Sequence, residues 1–318
     1  AKINGLKVTS RTSSFFFNNK DISISEIGKD LNVSIILEGS VRLSRNKIRI
    51  TAQLIETQND FHFWSETWDR DIENIFDVQD EISLLIADKV RENFGHFDLQ
   101  DRLVEEQTES IEAYKNYLKG QYHYLKWTQK EVELSINYFE KASSLDKEHA
   151  ESYFGLGQSY TFLAGGGFMS PKPTLKKAQE NLDMAYALNN QIPEVYFGKA
   201  GMAFWRDWNL EETLTFIRKT LKINPNYSAA YLLSALAYLL MEKKQLAHKN
   251  IDIGLNLDPF SPNMLFTKAW ICYATKDYNQ GIKYSKLAID IDSEFGPAYE
   301  ILGYSLLMTK KYDDVLYL

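Results

Sequence analysis

A single cysteine, Cys272, stands in a chain of 318 residues. No disulfide framework can form within such a chain. Cys272 lies in an apolar stretch, where a free thiol behaves as a small core residue. A reactive thiol would need a partly exposed, electropositive setting. Histidine is also scarce. His62, His96, His123, His149 and His248 show no pair at metal-ligand spacing, and neither an HExxH motif nor a cysteine cluster is present. No metal and no cofactor are expected, and the histidines read as structural or solvated. No GxSxG elbow occurs. No apolar run approaches the ~20 residues of a membrane span, and no secretory leader opens the sequence. Lys and Arg number 36 against 43 Asp and Glu, a net charge of −7 spread along the chain. That balance disfavours a nucleic-acid footprint, which normally needs a basic stripe; it leaves room for a local basic patch, but no nucleic acid is expected to bind here.

What the chain has is a period. Pro225 and Pro259 lie 34 apart, each closing a similar ending: Lys222-Ile223-Asn224-Pro225 and Asn256-Leu257-Asp258-Pro259. The next step of 34 reaches Asp290-Ile291-Asp292-Ser293. Small residues keep the same interval at Gly201, Ala235, Ala269 and Gly303. Large ones keep it four positions earlier at Phe197, Tyr231, Leu265 and Tyr299. A fixed interval of 34 with this small/large pattern resembles the tetratricopeptide (TPR) repeat, a helix–turn–helix unit that buries its apolar face only by stacking on neighbours. The register places a first repeat with helices near 109–126 and 129–145. A second starts at residue 150 and carries an insertion at 165–173. Repeats three to five follow at 194–225, 228–259 and 262–293, and a sixth starts at residue 296 and stops at the last residue. The end of the sequence (Val315, Leu316, Tyr317, Leu318) is apolar, whereas a terminal repeat usually carries a polar cap. Either more chain or a covering surface is therefore expected there.

Residues 1–97 do not repeat. Leu6 to Ser10 read as a short strand. Ser23 and Glu26 have capping-box spacing at the head of a short helix that reaches Leu31. Residues 33–43 read as a strand. In the next segment Ile48, Ile50, Ala52 and Leu54 alternate with Arg49, Thr51 and Gln53, the period of a half-buried strand. Turns are expected at residues 44–47 and 57–60, and a third strand over 61–68 completes an antiparallel meander. Ile75, Val78, Ile82, Leu85, Ile86 and Val90 trace a helical stripe. Residues 96–109 are polar and join the two parts.

This first segment resembles the TolB-like amino-terminal domain found beside TPR arrays in bacterial proteins. The resemblance is carried by Leu37-Glu38-Gly39-Ser40-Val41-Arg42, the Arg49-Ile50-Thr51-Ala52-Gln53-Leu54 strand, Trp64 with Trp68-Asp69-Arg70, and Phe76-Asp77-Val78-Gln79-Asp80-Glu81-Ile82. It covers about residues 1–90. It implies that the family's first strand and helix precede Ala1 and that the sequence is a piece of a longer protein. It also implies a setting beside an upstream membrane segment, DNA-binding domain or nucleotide-cyclase domain. The expected fold is a small α+β domain over 1–97 with an antiparallel sheet. An all-α TPR superhelix of about five and a half repeats follows over 98–318.

Two glycine-rich stretches invite chemical readings and lose them. Gly155-Leu156-Gly157 lies inside a repeat helix with no preceding strand and no third glycine, so it lacks the context of a dinucleotide loop. Gly165-Gly166-Gly167 has no following Lys-Ser/Thr and reads as a flexible insertion rather than a phosphate cradle. Asp69-Arg70-Asp71 reads as a local ion-pair turn. No enzymatic site is expected. The expected site is the concave face of the array. Its outward positions, taken from the repeat register, are Phe154, Gln158 and Phe162; Met202, Trp205 and Arg206; Leu232, Leu236 and Leu239; Phe266, Trp270 and Tyr273; and Glu300, Tyr304 and Met308. Contiguous exposed apolar surface marks binding sites, and aromatics dominate hot spots. Two occupants remain open: a partner peptide or protein, or the chain's own surface, including self-association. The Lys/Asn pattern of a TPR clamp for a C-terminal carboxylate is not visible at these positions.

Overall fold

The computed structural model describes residues 8–18, 20–45, 47–71, 75–94, 108 and 110–315. Leu6 and Lys7 of the expected first strand lie outside the described residues. So do Asn46, His96, the joining segment apart from Thr108, and Leu316, Tyr317 and Leu318. The side chains of Ile75, Phe76, Asp77 and Asp80 are likewise undescribed. Backbone contacts divide the chain into two compact units, residues 1–105 with 252–318, and residues 106–251.

The first unit begins with a difference from the sequence reading. Val8, Thr9 and Ser10 form no strand. Ser10 instead caps a short helix, α1 (Arg11–Phe16), its hydroxyl accepting from the Ser13 N–H. Helix α2 (Ile24–Leu31) has the expected capping box: the Ser23 hydroxyl accepts from the Glu26 N–H while the Glu26 carboxylate accepts from the Ser23 N–H. Three strands follow, β1 (Ile35–Ser44), β2 (Lys47–Glu56) and β3 (Phe61–Asp71), paired antiparallel in the order β1-β2-β3. The alternation of β2 is realised: Ile48, Ala52 and Leu54 are buried, and Arg49 and Thr51 are not. Helix α3 (Ile75–Phe94) lays Val78 and Ile82 against Ala52 and Trp68. Asp69-Arg70-Asp71 is not a turn. It continues β3, so Asp69 meets Arg49 across the ladder at 2.7 Å and Arg70 reaches Glu81 of α3 at 2.6 Å.

The same unit holds α12 (Pro262–Ala274), α13 (Tyr278–Ile291), α14 (Gly296–Met308) and α15 (Tyr312–Val315), antiparallel hairpin helices of the TPR type. Leu265, Ala288 and Ala298 form one core layer, and Ile282, Leu302 and Leu306 another.

The second unit contains α4 (Ile111–Tyr124), α5 (Gln129–Leu145), α6 (Ala150–Gly165), α7 (Pro171–Leu188), α8 (Pro193–Trp205), α9 (Leu210–Ile223) and α10 (Ser228–Leu240). Helix α11 (Lys244–Leu257) runs across the boundary between the units. The insertion of the second repeat is part loop, residues 166–170, and part helix, since Gly165 ends α6 and Pro171 opens α7. It lengthens both helices, α6 to 16 residues and α7 to 18, with Pro171 in the first turn of α7 where its missing N–H is harmless. The core is close-packed through glycine. A Cβ on Gly120 or Gly155 would stand 2.5 or 2.6 Å from the Phe139 ring, and one on Gly157 or Gly198 would stand 2.6 or 2.5 Å from Leu182. Gly201 differs from the expectation of a tight packing position, since a Cβ there would meet nothing within 4 Å.

The 34-residue period is visible in the backbone. The turns inside repeats three to six each place one residue in the left-handed region: Trp208 (φ 52°), Glu242 (59°), Lys276 (69°) and Lys310 (61°). Such a residue ends a helix by turning the chain away from the next hydrogen bond. Between repeats, Asp or Asn closes the turn with its own side chain. Glu148 N–H donates to Asp146 Oδ1 (2.9 Å), Gln191 to Asn189 (2.9 Å), Asn226 to Asn224 (3.0 Å) and Glu294 to Asp292 (3.0 Å). Tyr231 and Tyr299, two periods apart, donate from Oη to the equivalent carbonyls of Pro225 and Ser293. These are TPR helix pairs, with the period fixed by turn chemistry as well as by core size.

Candidate functional site

The first helices of the hairpins carry part of the exposed aromatic surface. In the second unit Phe162 of α6 is half-buried between Trp127 (ring centroids 5.5 Å) and Phe168 (5.9 Å, stacked). Trp127 and Phe168 are themselves exposed. Trp205 ends α8 with its ring edge-on to Phe204 at 4.8 Å and remains 41% exposed. In the first unit Phe266 packs against Trp270 (6.0 Å) and Phe295 (5.9 Å), and Tyr273 against Tyr304 (5.9 Å). Trp270 keeps 37% and Tyr304 44% of its surface open, with Met308 exposed beyond them. The Tyr304 hydroxyl donates to Glu300 at 3.0 Å, which holds that ring in place.

The residues predicted to face outward separate into two groups. Trp205, Trp270 and Tyr304 are exposed, and Phe162, Leu232, Phe266 and Tyr273 are partly so. Phe154, Met202 and Leu236 are not available. Phe154 and Met202 (each 2% exposed) belong to the cluster around Phe139 and Leu182, and Leu236 (7%) to the cluster around Phe204 and Ile217. The cause is the character of the first helices. Helices α6, α8, α12 and α14 are apolar nearly all the way round, so their sequence carries no polar face from which an outward side could be read. Trp127, Phe168 and Trp208 were missed. Trp127 and Trp208 sit in the left-handed position of the turn rather than on a helix, and Trp208 is 68% exposed. The recurrence of that turn position every 34 residues from Trp208 to Lys310 was the available signal for Trp208; Trp127 and Phe168 lie off that interval.

In the second unit an open depression of about 620 Å³ is lined by Pro171, Lys172, Leu175, Gln179 and Arg206, among others. The Arg206 guanidinium is held by Asp207 (two contacts of 2.7 Å) and Gln179 (2.6 Å), and it pulls the Asp207 carboxyl below its ordinary value. The titratable groups elsewhere have structural settings. Cys272 is buried, which pushes its thiol up to about 11, away from thiolate chemistry. His149 is wholly buried, with Nδ1 2.6 Å from the Ser152 hydroxyl and Nε2 3.6 Å from Glu151; burial lowers it to about 4. His123 Nδ1 meets Glu131 at 2.7 Å and its ring stacks on Tyr138. Among the described residues no three His, Cys, Asp or Glu side chains converge as a metal site, and no helix is long and apolar enough to cross a membrane.

Comparison with known proteins gives a partial match on sequence and a clear one on fold. No protein-family model matches the chain. A protein described as putative adenylate cyclase 3 of Rhizobium meliloti (strain 1021) is 43% identical over 91 residues. That segment is 29% of this chain and 16% of that protein. Among solved structures, the human IFIT1 dimer with m7Gppp-AAAA superposes with a TM-score of 0.56 at 16% identity, covering 76% of this chain and 53% of that one. A thermophilic TPR protein of Thermus thermophilus aligns with a TM-score of 0.47 at 17% identity, covering 65% of this chain and all of its own.

Proposed function

We propose that the chain is a non-enzymatic interaction module whose helical hairpins hold a partner peptide or protein against the open rings of their first helices. The observation that carries this reading is the exposure of Trp205, Trp270 and Tyr304, each anchored by a neighbouring group and each with a free face. Rigid, preoriented aromatics supply contact area at low entropic cost, and such residues dominate binding energy in protein interfaces. In the first unit the anchors are Trp270 and Tyr304, with Phe266 and Tyr273 at their margins; in the second, Trp205 is the anchor and Phe162 and Leu232 are part-exposed, and each unit's rings are a separate candidate. Self-association through the same rings is the competing occupant. The test uses peptides selected from a random display library against the full chain. Trp270→Ala should weaken a selected peptide by about 2 kcal/mol or more, the hot-spot scale, while Lys219→Ala leaves binding unchanged. Unchanged binding with a lowered melting temperature would assign Trp270 to internal packing instead.

A second reading is favoured by one specific observation, the 43% identity to a putative adenylate cyclase. In that reading the chain is the accessory region of a nucleotide cyclase or a transcriptional regulator, with a TolB-like domain over residues 1–97 and the TPR array over 98–318. Its role would be to present the larger protein to its signal or partner. Joining the chain to an adenylate cyclase catalytic domain and assaying cyclase activity with and without Trp270→Ala distinguishes the readings. Partner-dependent activity that disappears with the ring supports the accessory role.

A further inference from the structure

One inter-repeat turn is built differently from its equivalents. At Asp146, Asn189, Asn224 and Asp292 the side-chain oxygen accepts the N–H two residues on. Asp258, 34 residues after Asn224 and 34 before Asp292, instead accepts the hydroxyls of Ser10 and Ser13, the latter at 2.6 Å. The N–H that would close this turn, that of Phe260, donates to Ser13 Oγ at 2.9 Å. The Ser13 hydroxyl is therefore inserted into the turn: it accepts from Phe260 and donates to Asp258. Ser10 N–H adds a bond to the Leu257 carbonyl at 3.0 Å. Apolar contact seals the arrangement. Phe16 stacks on Phe260 at 4.4 Å, Phe17 meets it edge-on at 5.0 Å, and Ser13 and Phe17 are both buried.

We infer that residues 10–17 are an intramolecular strap that completes the turn after α11, so that α1 and the first turn of α12 order together. The local chemistry demands the strap. Asp258 is buried, and a buried carboxylate needs donors. Its equivalents find theirs in the turn itself, whereas here both hydroxyl donors come from a segment some 245 residues earlier in sequence. Without the strap, the Phe260 N–H and the Asp258 carboxylate would have to find each other again, and the Phe260 ring would lose its two aromatic partners. A ligand that orders the first turn of α12 thereby favours the docked strap, and one that frees α1 loosens the turn. This coupling stands apart from the aromatic-face reading and survives its failure.

The test is limited trypsin digestion after the exposed Arg11, together with amide exchange, on the full chain. Ser13→Ala removes the inserted hydroxyl. Cleavage after Arg11 should accelerate roughly tenfold, the population change expected from losing a buried hydrogen bond. Exchange of the Phe260 amide and of the first turn of α12 should quicken with it. Ser14→Ala, whose exposed hydroxyl donates to the Ser10 carbonyl, serves as control and should behave as the parent. Asp258→Asn keeps an oxygen acceptor and should stay near the parent, whereas Asp258→Ala should match Ser13→Ala. Cleavage of Ser13→Ala at the Ser14→Ala rate would overturn the strap. Faster cleavage with unchanged exchange in α12 would overturn the coupling, leaving only a surface contact. Helical circular dichroism equal to the parent's excludes general unfolding as the cause.

Discussion

The layer around Phe139 and the face around Trp270 are made from the same helix–turn–helix unit, yet they treat an aromatic ring in opposite ways. Phe139 is wholly buried, with Gly120 and Gly155 allowing two helices to close on its ring. Trp270 rests one side on Phe266 and leaves the other to solvent. The first arrangement turns ring area into stability; the second leaves ring area open to solvent, available to the partner proposed above.

The largest effect should follow from emptying the closed layer. Phe139→Ala should cost about 3–5 kcal/mol, the range for a buried phenylalanine whose surroundings only partly collapse. Urea unfolding of the full chain measures it. A loss near that of an exposed ring would end the contrast between the two regions.

Acid should act next, and on the same layer, because the His149 ring meets Tyr117 edge-on at 5.0 Å. The groups facing His149 are Ser152, Glu151, Asp146 and Tyr117. Burial lowers its folded value from 6.5 to about 4. Between these values the unfolded chain binds the proton more readily, so stability falls as pH drops through that window and is unaffected by this group above it. The loss at pH 4 should be on the order of 2–3 kcal/mol. His149→Asn, which supplies a good helix N-cap, should flatten that part of the profile. An unchanged slope in the variant would remove His149 as its cause.

Opening the exposed face should cost little stability. Trp270→Ala should lower unfolding free energy by about 1 kcal/mol or less, as for substitutions away from a packed core. A loss comparable to that of Phe139→Ala would make Trp270 a core residue. The smallest effect concerns the turns. Lys276 adopts φ 69°, which costs a side-chain-bearing residue roughly 1 kcal/mol. Lys276→Gly relieves that strain while adding freedom to the unfolded chain, for a net gain of about 0.5 kcal/mol. A net loss would mean that the lysine side chain contributes contacts beyond its backbone.

The legible parts of the molecule are those in which residue type and position are tied by a strict rule. The 34-residue interval gave the hairpins, the alternation from Ile48 to Leu54 gave β2, and Ser23 with Glu26 gave the start of α2. The illegible parts depend on distant partners. Helix α1 was not foreseen, because Ser10 to Phe17 have neither helical nor strand period and are ordered against Asp258 and Phe260. Asp69 and Arg70 looked like a turn because their partners, Arg49 and Glu81, lie on other elements. On the candidate face, ring positions such as Trp270 and Tyr304 were found from the register. Phe154, Met202 and Leu236 were misassigned because helices apolar on every side do not declare which side is outward.

The most direct test of the central claim is a paired measurement on Trp270→Ala with one display-selected peptide: its dissociation constant and the chain's unfolding free energy. The account predicts that affinity falls by about thirtyfold or more, about 2 kcal/mol, while stability changes by about 1 kcal/mol or less. Affinity equal to the parent's, with stability reduced by several kcal/mol, would contradict it.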